Sequence, residues 1–358
     1  MTQAEEAFAR ILKNGARALA GYAAGETAHP DTEAAEAAAP PQFDGWQNVL
    51  AARLEELAVA VATARPEFFV EQVRWTRAAL EARGVPPHLL RQRLESLRGV
   101  LAEQLPAALA PLAVSYIDRA LAEFAGEPAS LAPRLAAQTP EERLAAQYLV
   151  AVLEGDRREA SRLILEAADE GRSIADLYLR VLQPAQEELG RMWLLGEINV
   201  AEEHFATATT RLVMAQLHAR AVSAPANGKT LVAAAVAGNQ HDLGIQMVAD
   251  LFETAGWRVI QLGANVPAED LAQAVEFYQA HLAALTLSMG VQLPAMEEAI
   301  RAIRASRRGT AVKILVGGCG VASIAEQAMS KGADGFAANA LEAVARGNQL
   351  VGLPPSVF

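Results

Sequence analysis

A chain of 358 residues is long enough for two or three domains, and its formal net charge of −11 excludes a large direct nucleic-acid surface, which needs clustered Lys and Arg. Its single cysteine, Cys319, excludes an internal disulfide and suits a reducing, cytoplasmic compartment. The N-terminus has early acidic residues and no apolar segment, so it is no secretory signal, and no apolar run is long enough for a membrane span.

Residues 4–22 place Phe8, Ile11, Leu12 and Leu19 at helical spacing, which predicts one amphipathic helix. Residues 23–44, rich in Ala, Glu, Thr and Pro, read as a flexible linker, so 1–44 is a helix with its linker. Residues 45–126 then read as an independent four-helix bundle, with helices at 46–64, 66–83, 86–104 and 106–125. Pro66, Pro86-Pro87 and Pro106 stand at helix starts, where a missing N–H costs little; Gly84 and Gly126 stand at ends. Phe68, Phe69, Trp75, Tyr116 and Phe124 are its larger side chains, and core packing is their ordinary role.

A second helical block is predicted over 138–222. Thr139-Pro140-Glu141-Glu142 is a capping box, Asp156 and Ser173 are N-caps, and Pro184 kinks the third helix on its way to Gly190. Asn199-x-x-Glu202 opens a long helix over 200–221, and 222–229 is a linker. From 229 to 352 the pattern changes to alternation. Apolar runs at 230–237, 257–262, 282–288, 311–316 and 334–337 alternate with helical segments, which predicts a flavodoxin-like, Rossmann-like five-stranded parallel sheet. The expected fold is thus helical bundle, helical cap and α/β domain.

Three loops at the carboxyl ends of strands carry the chemistry. The first is Gly238-Asn239-Gln240-His241-Asp242-Leu243-Gly244. The second is Thr286-Leu287-Ser288-Met289-Gly290, and the third Val316-Gly317-Gly318-Cys319-Gly320. Ligands of open parallel sheets bind at that edge. A lone histidine after a strand often only fills a loop, and Gly317-Gly318 alone is an ordinary tight turn.

As a set, these loops resemble the cobalamin (vitamin B12) binding domain, in the stretches GNQHDLGIQMVADLFETAGWRVIQLGANVPAEDL, LTLSMGVQLPAMEEAIRAIR and VGGCG followed by KGADGFAANALEAV. The resemblance implies that His241 is the lower axial ligand of cobalt. It implies that Ser288, with Thr286 as the other candidate, lines the slot for the cofactor's nucleotide tail, and that Gly317 and Gly318 let the tail pass. Asn239, Gln240, Asp242, Leu243 and Gly244 then lie around the cofactor. The family usually has a carboxylate where Asn239 stands; an amide can accept the ring N–H of His241 through its oxygen but brings no charge.

Trp193, nine residues and then Glu203-His204 resemble the helical cap of the light-sensing adenosylcobalamin repressors of the CarH type. That implies that Trp193, Glu203 and His204 cover the upper corrin face, where the adenosyl group sits. Some of these sensors have a histidine directly after the tryptophan; Leu194 stands there instead. Their winged-helix DNA reader has no counterpart in 1–126, where Glu95 interrupts the run Arg91, Arg93, Arg98. The expectation is therefore a light sensor, not an enzyme, without direct DNA binding. It would act through a protein partner or its own homo-oligomeric assembly. In some relatives the module is paired with a bilin such as biliverdin; the bundle's aromatics and His88 permit that as a minor extension, without covalent attachment. The alternative is a corrinoid methyl carrier of a methyltransferase system, which shares His241 and the fold.

Overall fold

The computed structural model describes residues 3–25, 45–124, 126, 132–318 and 325–354. Its chain divides into two compact units: residues 1–132 with 191–199, and 133–190 with 200–358.

In the first unit, α1 (Gln3–Gly25), α2 (Trp46–Ala62), α3 (Pro66–Ala82), α4 (Pro87–Gln104) and α5 (Ala110–Glu123) share one core, with Phe8, Leu12, Leu54, Phe69, Leu94 and Ile117 fully buried. The expectation that the first helix stands apart from a 45–126 bundle is corrected. Its buried stripe, Phe8, Leu12, Ala16, Leu19 and Ala20, belongs to that core. Its last carbonyls are held as well: Ser96 Oγ donates to Ala23 at 2.8 Å and Arg93 Nη1 to Ala24 at 2.9 Å. Most of the linker expected over 23–44 lies outside the described residues. Pro66 and Pro87 open their helices as expected, but α5 begins at Ala110 and not Pro106, because a turn at Pro106–Leu109 precedes it and Pro111 takes the first helical turn. Phe69, Tyr116 and Phe124 are core, Phe68 and Trp75 half-buried, and His88 exposed.

The second unit begins with α6 (Pro140–Leu153) and α7 (Arg157–Asp169), opened by the Thr139 capping box and by Asp156. Ser173 caps α8 (Ile174–Leu177), which passes through a π-helical turn, Tyr178–Leu182, into α9 (Gln183–Leu195). The kink expected at Pro184 is thus a widened turn just before it. Pro184 has no N–H for the preceding turn, and the π-turn absorbs the missing bond. Residues 191–199, which include the end of α9, group with the first unit and not with the cap expected over 138–222. The cap's last helix is α10 (Val200–His218).

The sheet follows: β1 (Thr230–Val236), α11 (Leu243–Thr254), β2 (Arg258–Val266), α12 (Ala268–Phe277), β3 (Leu282–Thr286), α13 (Leu293–Ala305), β4 (Lys313–Gly317), α14 (Ala325–Ser330), β5 (Gly335–Ala337) and α15 (Ala340–Leu350). All neighbours are parallel, in the order β2-β1-β3-β4-β5. That order sets the carboxyl ends of β1, β3 and β4 side by side, as the flavodoxin-like reading requires. β1 is buried throughout, whereas β2 is an edge strand with every residue half-buried or exposed. β2 also runs four residues past its expected end at 262, with register shifts against β1. Gly263 (φ 79°) and Asn265 (φ 55°) make those irregularities possible.

Candidate functional site

The floor of the site is a set of loops held by buried amides. After β1, Gly238 turns the chain with φ 78°. Asn239 is fully buried; its Oδ1 accepts the backbone N–H of His241 at 3.1 Å and its Nδ2 donates to the Thr286 carbonyl at 3.3 Å. The expectation that Asn239 accepts the ring N–H of His241 is corrected: its oxygen closes a local turn onto the main chain two residues on, the short reach that Asx residues favour.

Two side chains that the sequence reading missed complete this floor. Asn265 Oδ1 accepts the Gly238 N–H at 2.7 Å, and its own N–H donates to the Asn239 carbonyl at 2.9 Å. Gln292, buried, donates from Nε2 to the Gly238 carbonyl at 3.2 Å. Its Oε1 accepts the N–H groups of Ser288 at 2.9 Å and Met289 at 3.1 Å. The loops after β1, β2 and β3 are thereby one hydrogen-bonded frame. Asparagine as a residue type tolerates the positive φ of Asn265, but nothing in the sequence points to its bond with Gly238.

On this frame Gln240 and His241 are exposed, and the His241 ring has no partner among the described residues. Leu243 is half-buried and Gly244 exposed at the start of α11, where an added Cβ would meet nothing within 4 Å. Thr286 is buried and Ser288 half-buried at the end of β3. Gly318 (φ 113°) has a second reason to be glycine: a Cβ there would lie 2.0 Å from the Leu287 carbonyl oxygen and 2.6 Å from Thr286 Oγ1. On its Cβ side Gly318 thus packs directly against the end of β3. At Gly317 a Cβ would lie 3.0 Å from the Ala337 carbonyl oxygen. Cys319 and Gly320 lie outside the described residues.

The roof is α10. Its contacts with α11 advance in the same direction along both helices. Arg211 Nη1 and Nη2 pair with the two oxygens of Asp242 at 3.0 and 2.8 Å. Two turns further along α11, Tyr178 Oη from the π-helical turn donates to Asp250 Oδ2 at 2.7 Å and lies 3.3 Å from the Met214 carbonyl of α10. Further still, His218 Nε2 meets Glu253 Oε2 at 3.1 Å. Glu203 precedes Arg211 by eight residues, about 12 Å along α10 at the α-helical rise. There the half-buried Glu203 accepts from Thr207 Oγ1 at 2.7 Å, and His204 Nδ1 donates to its other oxygen at 2.7 Å. Nδ1 must be the donor, because a carboxylate can only accept. The His204 side chain is 74% exposed. Inside the cap, Thr210 joins Tyr148 Oη and Gln186 Nε2, each at 2.7 Å, and burial pushes the Tyr148 hydroxyl up to about 12. Trp193 falls in the first unit, half-buried at the end of α9, where its carbonyl accepts from Arg83 Nη2 at 2.7 Å.

The donor chemistry fits one axial position of a corrin cobalt. An imidazole with no partner among the described residues stands exposed at a parallel-sheet edge, near a glycine open to solvent and next to Asp242, which α10 grips through Arg211. A flat macrocycle needs such a floor and roof.

Comparison with known proteins agrees. The B12 binding domain family matches residues 229–345, and a second B12 binding domain family matches residues 144–218. A corrinoid protein of Desulfitobacterium hafniense is 24% identical over 206 residues, covering 56% of this chain and 94% of that one. The HTH-type transcriptional repressor CarA of Myxococcus xanthus is 30% identical over 241 residues, 65% of this chain and 76% of that one. The solved structure of the Methanosarcina barkeri monomethylamine corrinoid protein covers 59% of this chain and 99% of its own, with a TM-score of 0.52 and 16% identity, a likeness of fold. The loops and these matches together make this chain a member of the cobalamin-binding domain proteins.

Proposed function

We propose that this protein is a cobalamin-dependent light sensor that holds adenosylcobalamin between α10 and the carboxyl edge of the sheet. The observation that carries the reading is the Glu203–His204 pair, fixed by Thr207 on the same helix that grips Asp242, the residue after His241, through Arg211. When bound, adenosylcobalamin supplies a cobalt–carbon bond that light cleaves. His241 holds the lower side, presented by the Asn239, Asn265 and Gln292 frame. Glu203 and His204 face the upper ligand. Thr286 and Ser288 border the slot for the nucleotide tail. Output goes through a protein partner or a change of assembly, with the helices of the first unit as the transmitting element.

The test is to load the full chain with adenosylcobalamin in the dark, then record absorption spectrum and elution volume before and after green light. The expected result is a new spectrum of bound cobalamin together with a changed elution volume. A bound cofactor that light leaves unchanged overturns the sensor. The free cofactor is itself photolabile, so the His241→Ala variant serves as control and should lack the spectrum of the histidine-ligated form.

The second reading is a corrinoid methyl carrier. It is favoured by relatives such as dimethylamine corrinoid protein 2 of Methanosarcina mazei, 25% identical over 201 residues and 91% of that chain. On that reading, light has no effect on assembly, and the protein exchanges a methyl group with a separate methyltransferase.

A further inference from the structure

Asp242 occupies the N-cap of α11 yet makes no side-chain capping bond. A capping aspartate takes extended backbone and accepts from an amide two or three residues on, whereas Asp242 stands at φ −109° and ψ −5°, so capping would need its main chain to turn. Its carboxylate, 11% exposed, is instead turned to Arg211 and held by both guanidinium nitrogens. The two amides it could cap belong to Gly244 and Ile245. Asp242 also follows His241 directly. Arg211 in turn ends a stripe on α10, Glu203, Thr207 and Arg211, spaced four residues apart on one helix face. The stripe is already linked at its other end by the Thr207–Glu203 bond.

We infer that Arg211 and Asp242 are positioning residues, and that the Asp242 carboxylate has two alternative seats: on Arg211, as observed, or on the first-turn amides of α11. In the first seat the α10 face bearing Glu203 and His204 is tied to the loop bearing His241. In the second the tie is released, the helix start is capped, and the main chain at His241 is free to shift. A displacement of α10 at the upper side of the site is thereby converted into a displacement at the lower side. This deepens the proposed function and rests on its placement of His241 and Glu203.

Residue-resolved amide exchange on the full chain without cofactor separates this device from an ordinary ion pair. In Arg211→Ala the carboxylate is freed to cap, so exchange at Gly244 and Ile245 should slow by about tenfold, with little change in melting temperature. A merely structural pair predicts the opposite, faster exchange at the same amides, and that result or no change overturns the proposal. Asp242→Ala can neither pair nor cap and should exchange faster than wild type, while Arg211→Lys should lie nearest to it. The second readout is electron paramagnetic resonance of the Co(II) form after loading with hydroxocobalamin and reduction. Arg211→Ala should keep bound cobalamin but lose most of the nitrogen splitting from His241; full retention of the splitting also overturns the coupling. If wild type itself shows no nitrogen splitting, it is the reading of His241 that fails, and the exchange measurement still decides the two seats.

Discussion

In the first unit, the buried polar groups among the described residues are held on their own helix or, for Arg93, on the end of a neighbouring one. Thr76 Oγ1 donates to the Gln72 carbonyl four residues back, Glu56 pairs with Arg53 on its own helix, and Arg93 closes the end of α1. The core around them is chiefly Phe, Leu, Val and Ala, with Trp46, Tyr116 and Ile117. In the second unit, Asn239, Asp242, Thr286 and Gln292 are buried together at one sheet edge, and the first, second and fourth bond to groups on other loops or helices. Burying an amide is tolerable only when its bonds are met, so such a cluster defines one loop shape more sharply than apolar packing does. The first unit therefore derives its stability from packing, whereas the second also stores the geometry of a site in its polar groups.

The largest expected effect tests the first half of that contrast. Phe69 is fully buried in the bundle core, and Phe69→Ala should cost about 3–5 kcal/mol in urea unfolding of the first unit. Cobalamin affinity of the folded protein should stay near wild type. Affinity falling in step with stability would break the division of roles. Next comes Gly318→Ala, which adds a Cβ 2.0 Å from the Leu287 oxygen at φ 113°. Strain at such a residue is about 1–3 kcal/mol before the backbone clash is counted. The loss should appear as a lower melting temperature with faster exchange around 286–292, and an unchanged melting temperature would show that the two strand ends can part freely.

Asn239→Ala should cost somewhat less, about 2 kcal/mol, because the Thr286 carbonyl and the His241 amide both lose a buried partner. Asn239→Asp sharpens the test. It keeps the acceptor for the His241 amide but loses the donor to Thr286, so it should recover part of the stability. A full recovery would show that the bond to β3 contributes nothing.

The sheet order and the His241 loop were legible because strand alternation and glycine spacing are local signals. So were the Thr139, Asp156 and Ser173 caps, each a short-range exchange between a side chain and the amide three residues on. Asn265, Gln292 and Arg211 were not, because their roles exist only after folding. Gly238 and Asn265 are 27 residues apart, Gly238 and Gln292 are 54 apart, and Arg211 and Asp242 are 31 apart. No periodicity encodes such pairs. The membership of α1 in the bundle was hidden for the same reason, since an amphipathic stripe states that a partner is needed and not which one. Asn239 was read for its chemistry towards the ring, while its bonds go to main chain that only the fold brings near.

The smallest effect concerns the other end of the contact between α10 and α11. Burial raises the Asp250 carboxyl above its ordinary value of 3.8, against the opposing effects of the Tyr178 hydrogen bond and the His218 charge. The groups facing it are Tyr178 Oη at 2.7 Å and His218 Nδ1 at 3.9 Å, with Glu253 on the far side of the same imidazole. Because the folded protein holds this proton more tightly than the unfolded chain does, the group's stabilising contribution is complete below the unfolded value. It is lost as pH rises through the folded one. Asp250→Asn keeps an acceptor for Tyr178 and removes the titration, so its stability should be flatter than wild type over that window in urea unfolding at a series of pH values. His218→Ala removes the charge that opposes burial and should shift the wild-type decline to higher pH. If instead wild type gains stability across the window and Asp250→Asn does not, Asp250 is ionised at low pH in the folded protein, and His218 outweighs burial at this contact.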